Sequence, residues 1–294
     1  MARGERRHAR IISIVNPEAA AIVFGLASAA SWGAGDFSGG LASKRQSVAV
    51  VIVVSQLFGV ILLTGLALLW RESVPPAGYL FYGALAGLAG ALGLVALYHG
   101  LATGTMGVVA PLTAVIAAGL PVVFGILSAG LPAVQQLAGF GFAFAGIWTI
   151  SRNGAGGVVT LSDLLLPFVA GTGFGLFFIF IDQVSEEAVY WPLVAARLAS
   201  MTVLSVFLLS WRRTATWRPL NLPLLALTGA LEAGGNVFFA LASASGRLDI
   251  AAVLGSLYPA STVFLAWLIL KERLLGRQWA GIAAVLIAIV LITL

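Results

Sequence analysis

The sequence predicts an all-α integral membrane fold of ten transmembrane helices, arranged as two inverted five-helix repeats. Three observations predict it: a chain nearly empty of charge, continuous apolar runs of bilayer-spanning length, and a faint likeness between its two halves.

Only 9% of the 294 residues are charged while 60% are hydrophobic, and the mean hydropathy is +1.04. Soluble domains carry about 25% charged residues, because a water-facing surface must be solvated. A chain this poor in charge must turn its outer face to lipid. Backbone groups in lipid must be satisfied internally, which leaves helices or closed barrels. Barrel strands alternate apolar and polar residues over about 10 positions. The apolar runs here are unbroken and about 20 residues long, the length at which a helix crosses the hydrocarbon core. Thirty-five glycines suit helices that approach closely through small residues.

Polar and Gly/Pro-marked breaks divide these runs into ten spans. The first five are Ala19–Leu41, Ser47–Trp70, Ala77–Leu101, Thr105–Ser128 and Ala133–Ile150. The second five are Ser162–Val184, Val189–Ser210, Pro219–Ala244, Asp249–Leu270 and Gly276–Leu294. Residues 1–18 precede them as a short tail. Its basic stretch runs into Asn16, Pro17 and Glu18 and not into an unbroken apolar core, so it reads as a cytoplasmic tail and not as a signal peptide.

The halves match in order. Gly25 through Asp36 lines up with Gly171 through Asp182, and Gly83-Ala84-Leu85 with Gly229-Ala230-Leu231, at one offset of 146. Gln136 and Gly139 meet Gln278 and Gly281 at an offset of 142, and Pro121 corresponds to Pro259. The expected division is therefore a first repeat over residues 19–151 and a second over 152–294. Homologous halves of five spans must enter the membrane from opposite sides. Such inverted repeats place a substrate near the midplane between the halves, an arrangement of carriers far more than of membrane enzymes.

Orientation follows from the basic residues. Arg3, Arg6, Arg7 and Arg10 precede the first span and argue for a cytoplasmic N-terminus, and ten spans then return the C-terminus to the same side. Against this stand Lys44, Arg45, Arg152, Arg212, Arg213, Arg218, Lys271, Arg273 and Arg277, which that choice places outside. The net charge of +5 is scattered over short loops, so it reads as membrane topology and not as nucleic-acid binding. The absence of cysteine excludes disulfides, thiolate chemistry and cysteine metal sites.

An ionisable residue inside a span costs about 2.5–3.5 kcal/mol on insertion scales and is a functional candidate by default. Arg197 and Glu232 lie mid-span in the seventh and eighth helices. They can form a structural pair, or Glu232 can face a cavity and take an ammonium group or a proton. Asn236 lies one turn beyond Glu232 on the same face. Asp36 and Asp182 fall at the ends of matched helices, near opposite membrane faces, which suits a gate better than a shared site; plain solvation at a helix end is the simpler alternative. Trp32, Tyr82, Tyr98, Phe178 and Tyr258 offer aromatic walls for a flat ligand or, by cation–π attraction, for an ammonium. Each can equally face lipid or anchor an interface. Trp70, Trp191, Trp211 and Trp217 sit at span ends as belt residues. His99 can titrate near neutral pH or serve as a hydrogen-bonded residue at a helix end. Pro111 and Pro121 in the fourth helix and Pro259 in the ninth are candidate kinks and hinges.

The glycine runs Gly83-x-x-x-Gly87 and Gly171-x-x-x-Gly175 are close-packing patterns and not phosphate loops, since no strand precedes them and no lysine follows. There is no His-Glu-x-x-His and no Gly-x-Ser-x-Gly element. No catalytic residue, metal or cofactor is expected. The expected partners are a small-molecule substrate and the bilayer, with one chain sufficient.

Leu254–Leu275, then Gln278-Trp279-Ala280-Gly281, resembles the C-terminal signature of the EamA family in the drug/metabolite transporter superfamily. The matching features are Pro259, the Glu272-Arg273-Leu274 turn, Gln278 and Gly281. The first half carries Pro121, Gln136 and Gly139 but lacks the charged turn. The resemblance implies a ten-helix carrier with two inverted halves around a central cavity, lined by the first, third, fourth, sixth, eighth and ninth helices. Amino-acid exporters of the YddG type are similar in length and layout. The implied activity is export of aromatic or neutral amino acids across the cytoplasmic membrane, with organic-cation efflux, a channel or a membrane-embedded enzyme as the alternatives.

Overall fold

The ten apolar runs become helices almost where their polar boundaries put them. The computed structural model describes residues 17–43, 46, 48–103, 106–151, 162–210, 221–271 and 275–293. In order these form α1 (Pro17–Ser43), α2 (Val48–Leu69), α3 (Ala77–Thr103), α4 (Met106–Ala129) and α5 (Val134–Ser151). The second half forms α6 (Ser162–Ser185), α7 (Tyr190–Ser210), α8 (Leu222–Ser245), α9 (Leu248–Gly255), α10 (Tyr258–Leu270) and α11 (Gly276–Thr293). Seven of the spans are long and apolar enough to cross a membrane as they stand, and α5, α7 and α11 are shorter apolar helices. The chain is a multi-pass, all-helical membrane protein. The arginine-rich tail, Lys44, Arg45, Arg152, Arg212, Arg213, Arg218, Trp211, Trp217 and the Glu272-Arg273-Leu274 turn lie outside the described residues.

The ninth span is interrupted beside Pro259, one of the candidate kinks. It is two helices, broken at Ser256 and Leu257, with Pro259 in the first turn of α10. A proline there has no N–H to return to Gly255, so the α-helical ladder stops, and the first turn of a new helix is where that loss is harmless. Pro121 behaves differently: α4 runs through it without interruption. Transmembrane helices tolerate proline where neighbours satisfy the freed carbonyl.

Helix ends are fixed by side chains. Gln136 Oε1 accepts from the Ala133 amide at 3.2 Å, and Gln278 Oε1 accepts from the Leu275 amide at 2.9 Å. Each glutamine is the third residue of its helix and caps the amide just before it, half of a capping box. Glu72, beyond the end of α2, accepts from the amides of Val189, Tyr190 and Trp191 and so caps α7 from another part of the chain.

Glycines set the helix pairing. Alongside α3, a side chain on Gly83 would strike the Pro192 backbone and one on Gly87 the Ala196 backbone of α7. Gly229 of α8 lies against Ser55 of α2, and Ala233 of α8 lies beside Gly59 of α2. Gly139 of α5 faces Ala288 and Ile292 of α11, while Gly281 of α11 faces Gly146 and Ile150 of α5. Gly25 of α1 abuts Leu254 of α9, and Gly171 of α6 abuts Ile116 of α4. Every residue of α9 is buried, enclosed by α1, α4 and α8. In contrast, α10 has no buried residue and turns Phe264, Trp267 and Ile269 outward. Such an apolar exterior belongs in lipid.

Candidate functional site

The longest interhelical contact is α1 against α8, and the two run antiparallel. Ser28 donates to the Gly235 carbonyl at 2.9 Å, Ser31 to Leu231 at 2.6 Å, and Ser38 shares a hydrogen bond with Thr228 at 2.9 Å. These serines fall on one helical face of α1, and that face also holds Trp32 and Gly35. Trp32 donates its indole N–H to the side-chain oxygen of Asn236 at 3.0 Å.

Gly35 makes room for Glu232. A Cβ at Gly35 would stand 2.5 Å from Glu232 Oε1 and 3.0 Å from its Cδ, so no other residue fits there without moving the carboxylate. Arg197 of α7 brings its guanidinium carbon to the other side, 3.6 Å from where a Cβ on Gly59 would stand. Glu232 lies within electrostatic reach of both Asp36 and Arg197, and Tyr258 within reach of both Asp36 and Glu232. Four ionisable side chains from α1, α7, α8 and α10 thus lie near one another, Asp36 at an exposed position.

None of the three charges is neutralised by direct contact. Among the described residues, Asp36 and Glu232 accept no hydrogen bond, the Arg197 guanidinium makes none, and Arg197 Nε is buried without a partner. Arg197 and Glu232 interact through space and do not form an ion pair within 4 Å; the ion pair found among the described residues is Arg247–Asp249 at 2.8 Å. Charges inside a bilayer are retained only with a partner, water or a ligand. Two carboxylates and one guanidinium held this way can receive an ammonium and a carboxylate from one molecule.

Access comes from the end of α1. Asp36 and Gly40 are one turn apart on the side of α1 that carries Gly25, Ala29 and Gly33 toward α9 and α10, away from outward-facing Val23 and Ala30. At Gly33 that side is in tight contact with Tyr258 and Ser261. One to two turns later Asp36 and Gly40 are exposed, and nothing lies within 4 Å of a Cβ built on Gly40. A cleft therefore opens between α1 and its neighbours toward Ser43. One turn deeper on α1, the Trp32 ring lies 5.7 Å from Phe178 and 6.0 Å from Phe239, and those two, both buried, lie 4.6 Å apart.

The expected residues divide accordingly. Trp32 and Asn236 bond across the α1–α8 contact, Phe178 packs on Trp32, and Tyr258 and Arg197 are within electrostatic reach of Glu232. Asp36 lies about two turns before the end of α1, at an exposed position within electrostatic reach of Glu232. Its counterpart Asp182 bonds Ser243 and Gln183 near the opposite end of α8. Tyr82 is 42% exposed and packs with Phe81 and Phe180 on the outside, away from the cluster. His99 is exposed on α3. The side chains of Tyr98 and Pro111 lie outside the described residues. Two shallow recesses, about 310 Å³ at Pro17, Glu18 and Arg247 and about 270 Å³ along Leu286 and Val290, do not touch Glu232.

Some contributors escaped sequence reasoning. Gln56, buried in α2, accepts from Ser200 at 2.8 Å one turn from Arg197; an amide inside an apolar run was a readable signal. The serine spacing on α1 was readable too. Phe239 carries no signal that separates it from any apolar packing residue.

Residues 161–294 match the model of the EamA-like transporter family, which spans all of α6 through α11. Among solved structures, one titled "Crystal structure of protein" superposes with a TM-score of 0.75 over 93% of this chain and 96% of that one, at 14% identity. At that identity the likeness concerns the fold alone. No curated protein matches this chain. The second half thus matches a transporter-family model within a bundle of apolar helices.

Proposed function

We propose that the chain is a secondary transporter of the drug/metabolite transporter superfamily that exports amino acids, aromatic or neutral, across the cytoplasmic membrane by alternating access. One observation carries this: Asp36, Glu232 and Arg197 lie near one another without hydrogen-bond partners for their charged groups among the described residues. An amino acid brings an ammonium for the carboxylates and a carboxylate for the guanidinium, and the wall of Trp32, Phe178 and Phe239 suits an apolar or aromatic side chain. The EamA-like match of the second half and the likeness to exporters of the YddG type in length and layout favour the same reading.

Alternating access needs two halves, residues 19–151 and 152–294, in inverted order. Matched contacts support them. Gly83 and Gly87 on Pro192 and Ala196 correspond to Gly229 and Ala233 on Ser55 and Gly59, with α3 numbers raised by 146 and α2 numbers by 137. Gly139 on Ala288 and Ile292 becomes Gly281 on Gly146 and Ile150 under a single offset of 142. Exchanging the halves thus reproduces the pairing. The basic tail sets both termini in the cytoplasm, so the Asp36 cleft faces outward.

A second reading, organic-cation efflux, is favoured by the surplus of two carboxylates over one guanidinium. Purified protein in liposomes separates the two when offered labelled aromatic and aliphatic amino acids and cationic dyes. Amino-acid uptake should fall at least about tenfold in Glu232→Gln, with the thermal midpoint kept within a few degrees. Dye transport without amino-acid transport would select the second reading, and silence toward both would refute the carrier assignment.

A further inference from the structure

At the opposite end of the bundle from the Asp36 cleft, the chain between α8 and α9 is tied to the end of α4. Arg247 grips Asp249 through Nε at 3.1 Å and Nη2 at 2.8 Å. The same guanidinium donates to the carbonyl of Gly130 at 2.7 Å and reaches that of Ala129 at 3.4 Å. Asp249 has no exposed surface, and a Cβ on Gly125 would sit 3.2 Å from it, so α4 is pressed onto this carboxylate. The hydrogen bond to Asp249 raises the Arg247 pKa above the ordinary arginine value. Nearby, Glu18 at the start of α1 takes a hydrogen bond from Gln136 of α5 at 3.3 Å, and Gly246 crowds Ala21 of α1. The ends of α1, α4, α5, α8 and α9 are thereby drawn together. The recess lined by Pro17, Glu18, Ala21, Gly246 and Arg247 lies just outside the tie.

The tie has no counterpart in the first half. The offset that carries Pro259 to Pro121 carries Arg247 to Val109 and Asp249 to Pro111, and neither residue can form an ion pair. Among the described residues, the ion pair lies at this end of the bundle.

We infer that Arg247, bridging Asp249 to the Ala129 and Gly130 carbonyls, is the latch of a gate that closes the end of the bundle where α1 begins, and that it must release for the site to open to that side. The inference rests on the alternating-access reading above. A guanidinium holding a carboxylate and two carbonyls at once is a fork that one lysine cannot replace, and releasing it frees α4 from α9. The released conformation exposes the face of Trp32 turned away from Asp36, while closure moves to the Gly40 end.

The absence of cysteine makes the test direct. Single reporters are introduced as Ala21→Cys, at a position 1% exposed beside Gly246, and Gly40→Cys, in open space. A membrane-impermeant maleimide then reports the accessibility of each in liposomes. With Arg247 intact, position 40 should label fast and position 21 slowly. Arg247→Gln should speed labelling at position 21 about tenfold and slow it at position 40, as a shifted two-state equilibrium requires, with Arg247→Lys intermediate. Faster labelling at position 21 with no slowing at position 40 would mean local loosening and overturn the latch; so would no change at position 21. If the glutamine variant does not fold, Arg247→Lys alone carries the test by the same two signs. Labelling needs no substrate, so an error about amino-acid cargo leaves this result standing.

Discussion

The indole N–H of Trp32 donates to the side-chain oxygen of Asn236 at 3.0 Å, one turn from where Gly35 meets Glu232 on the same two helices. The bond locks the Trp32 ring to the helix that carries Glu232. Losing the acceptor leaves a mostly enclosed donor without a partner, at a cost of about 1–3 kcal/mol. Between membrane helices the coupling itself is smaller, about 0.6 kcal/mol on average and about 1.7 at most. A double-mutant cycle of Trp32→Phe and Asn236→Ala, followed by reversible unfolding in mixed micelles, should give a positive coupling in that range. Additive losses would show that the two side chains do not cooperate.

Most of the fold was legible because lipid allows so few solutions: continuous apolar runs had to be helices, and polar residues such as Arg71, Arg152 and Lys271 had to end them. The break at Ser256 was not legible in length or hydropathy, since Pro259 and Pro121 look alike in sequence and only their surroundings separate them. In the site, Glu232, Arg197 and Trp32 announced themselves as polar or aromatic groups within spans. The surroundings of Asp36 were not legible, because they depend on where α1 ends, at Ser43, and on Gly35 yielding space to Glu232. Such partnerships between distant residues leave no local trace. Tyr82 shows the converse: an aromatic in a lining helix that faces outward.

Glycine 87 and glycine 65 make a matched pair for the close-packing claim. A Cβ on Gly87 would overlap the Ala196 backbone of α7, while one on Gly65 would meet nothing within 4 Å. Backbone cannot yield as a side chain can, so Gly87→Ala should cost about 1–3 kcal/mol as overpacking. Gly65→Ala should be neutral or slightly stabilising, by the usual gain of alanine over glycine in a helix. Thermal unfolding followed by size-exclusion chromatography distinguishes them. Equal midpoints would mean that α3 and α7 can separate freely, and that the packing around Arg197 is not held by this contact.

Asp36 and Asp182 occupy matching positions in the two halves but keep different company, and this asymmetry decides which of them serves transport. Asp36 has no hydrogen-bond partner among the described residues and lies in the field of Glu232. The position that matches Glu232 in the first half is Ala86, and the one that matches Arg197 is Val60, so neither has a counterpart beside Asp182, whose neighbouring carboxylate is Glu186. Asp182 instead accepts from Ser243 and Gln183, a local tie between α6 and α8. Removing a charged acceptor from such a bond costs about 1.5–3 kcal/mol. Asp182→Ala should therefore lower the unfolding midpoint while keeping transport per folded molecule within about twofold of the wild type. Asp36→Asn should do the reverse, holding the midpoint and cutting transport by about tenfold or more, because it removes one of two carboxylates without breaking any bond of the fold. The measurement is uptake normalised to folded protein, with unfolding recorded on the same samples. Equal loss of transport in both variants would restore a symmetric role for the two aspartates at the two ends of the pathway, and would move the site away from Glu232.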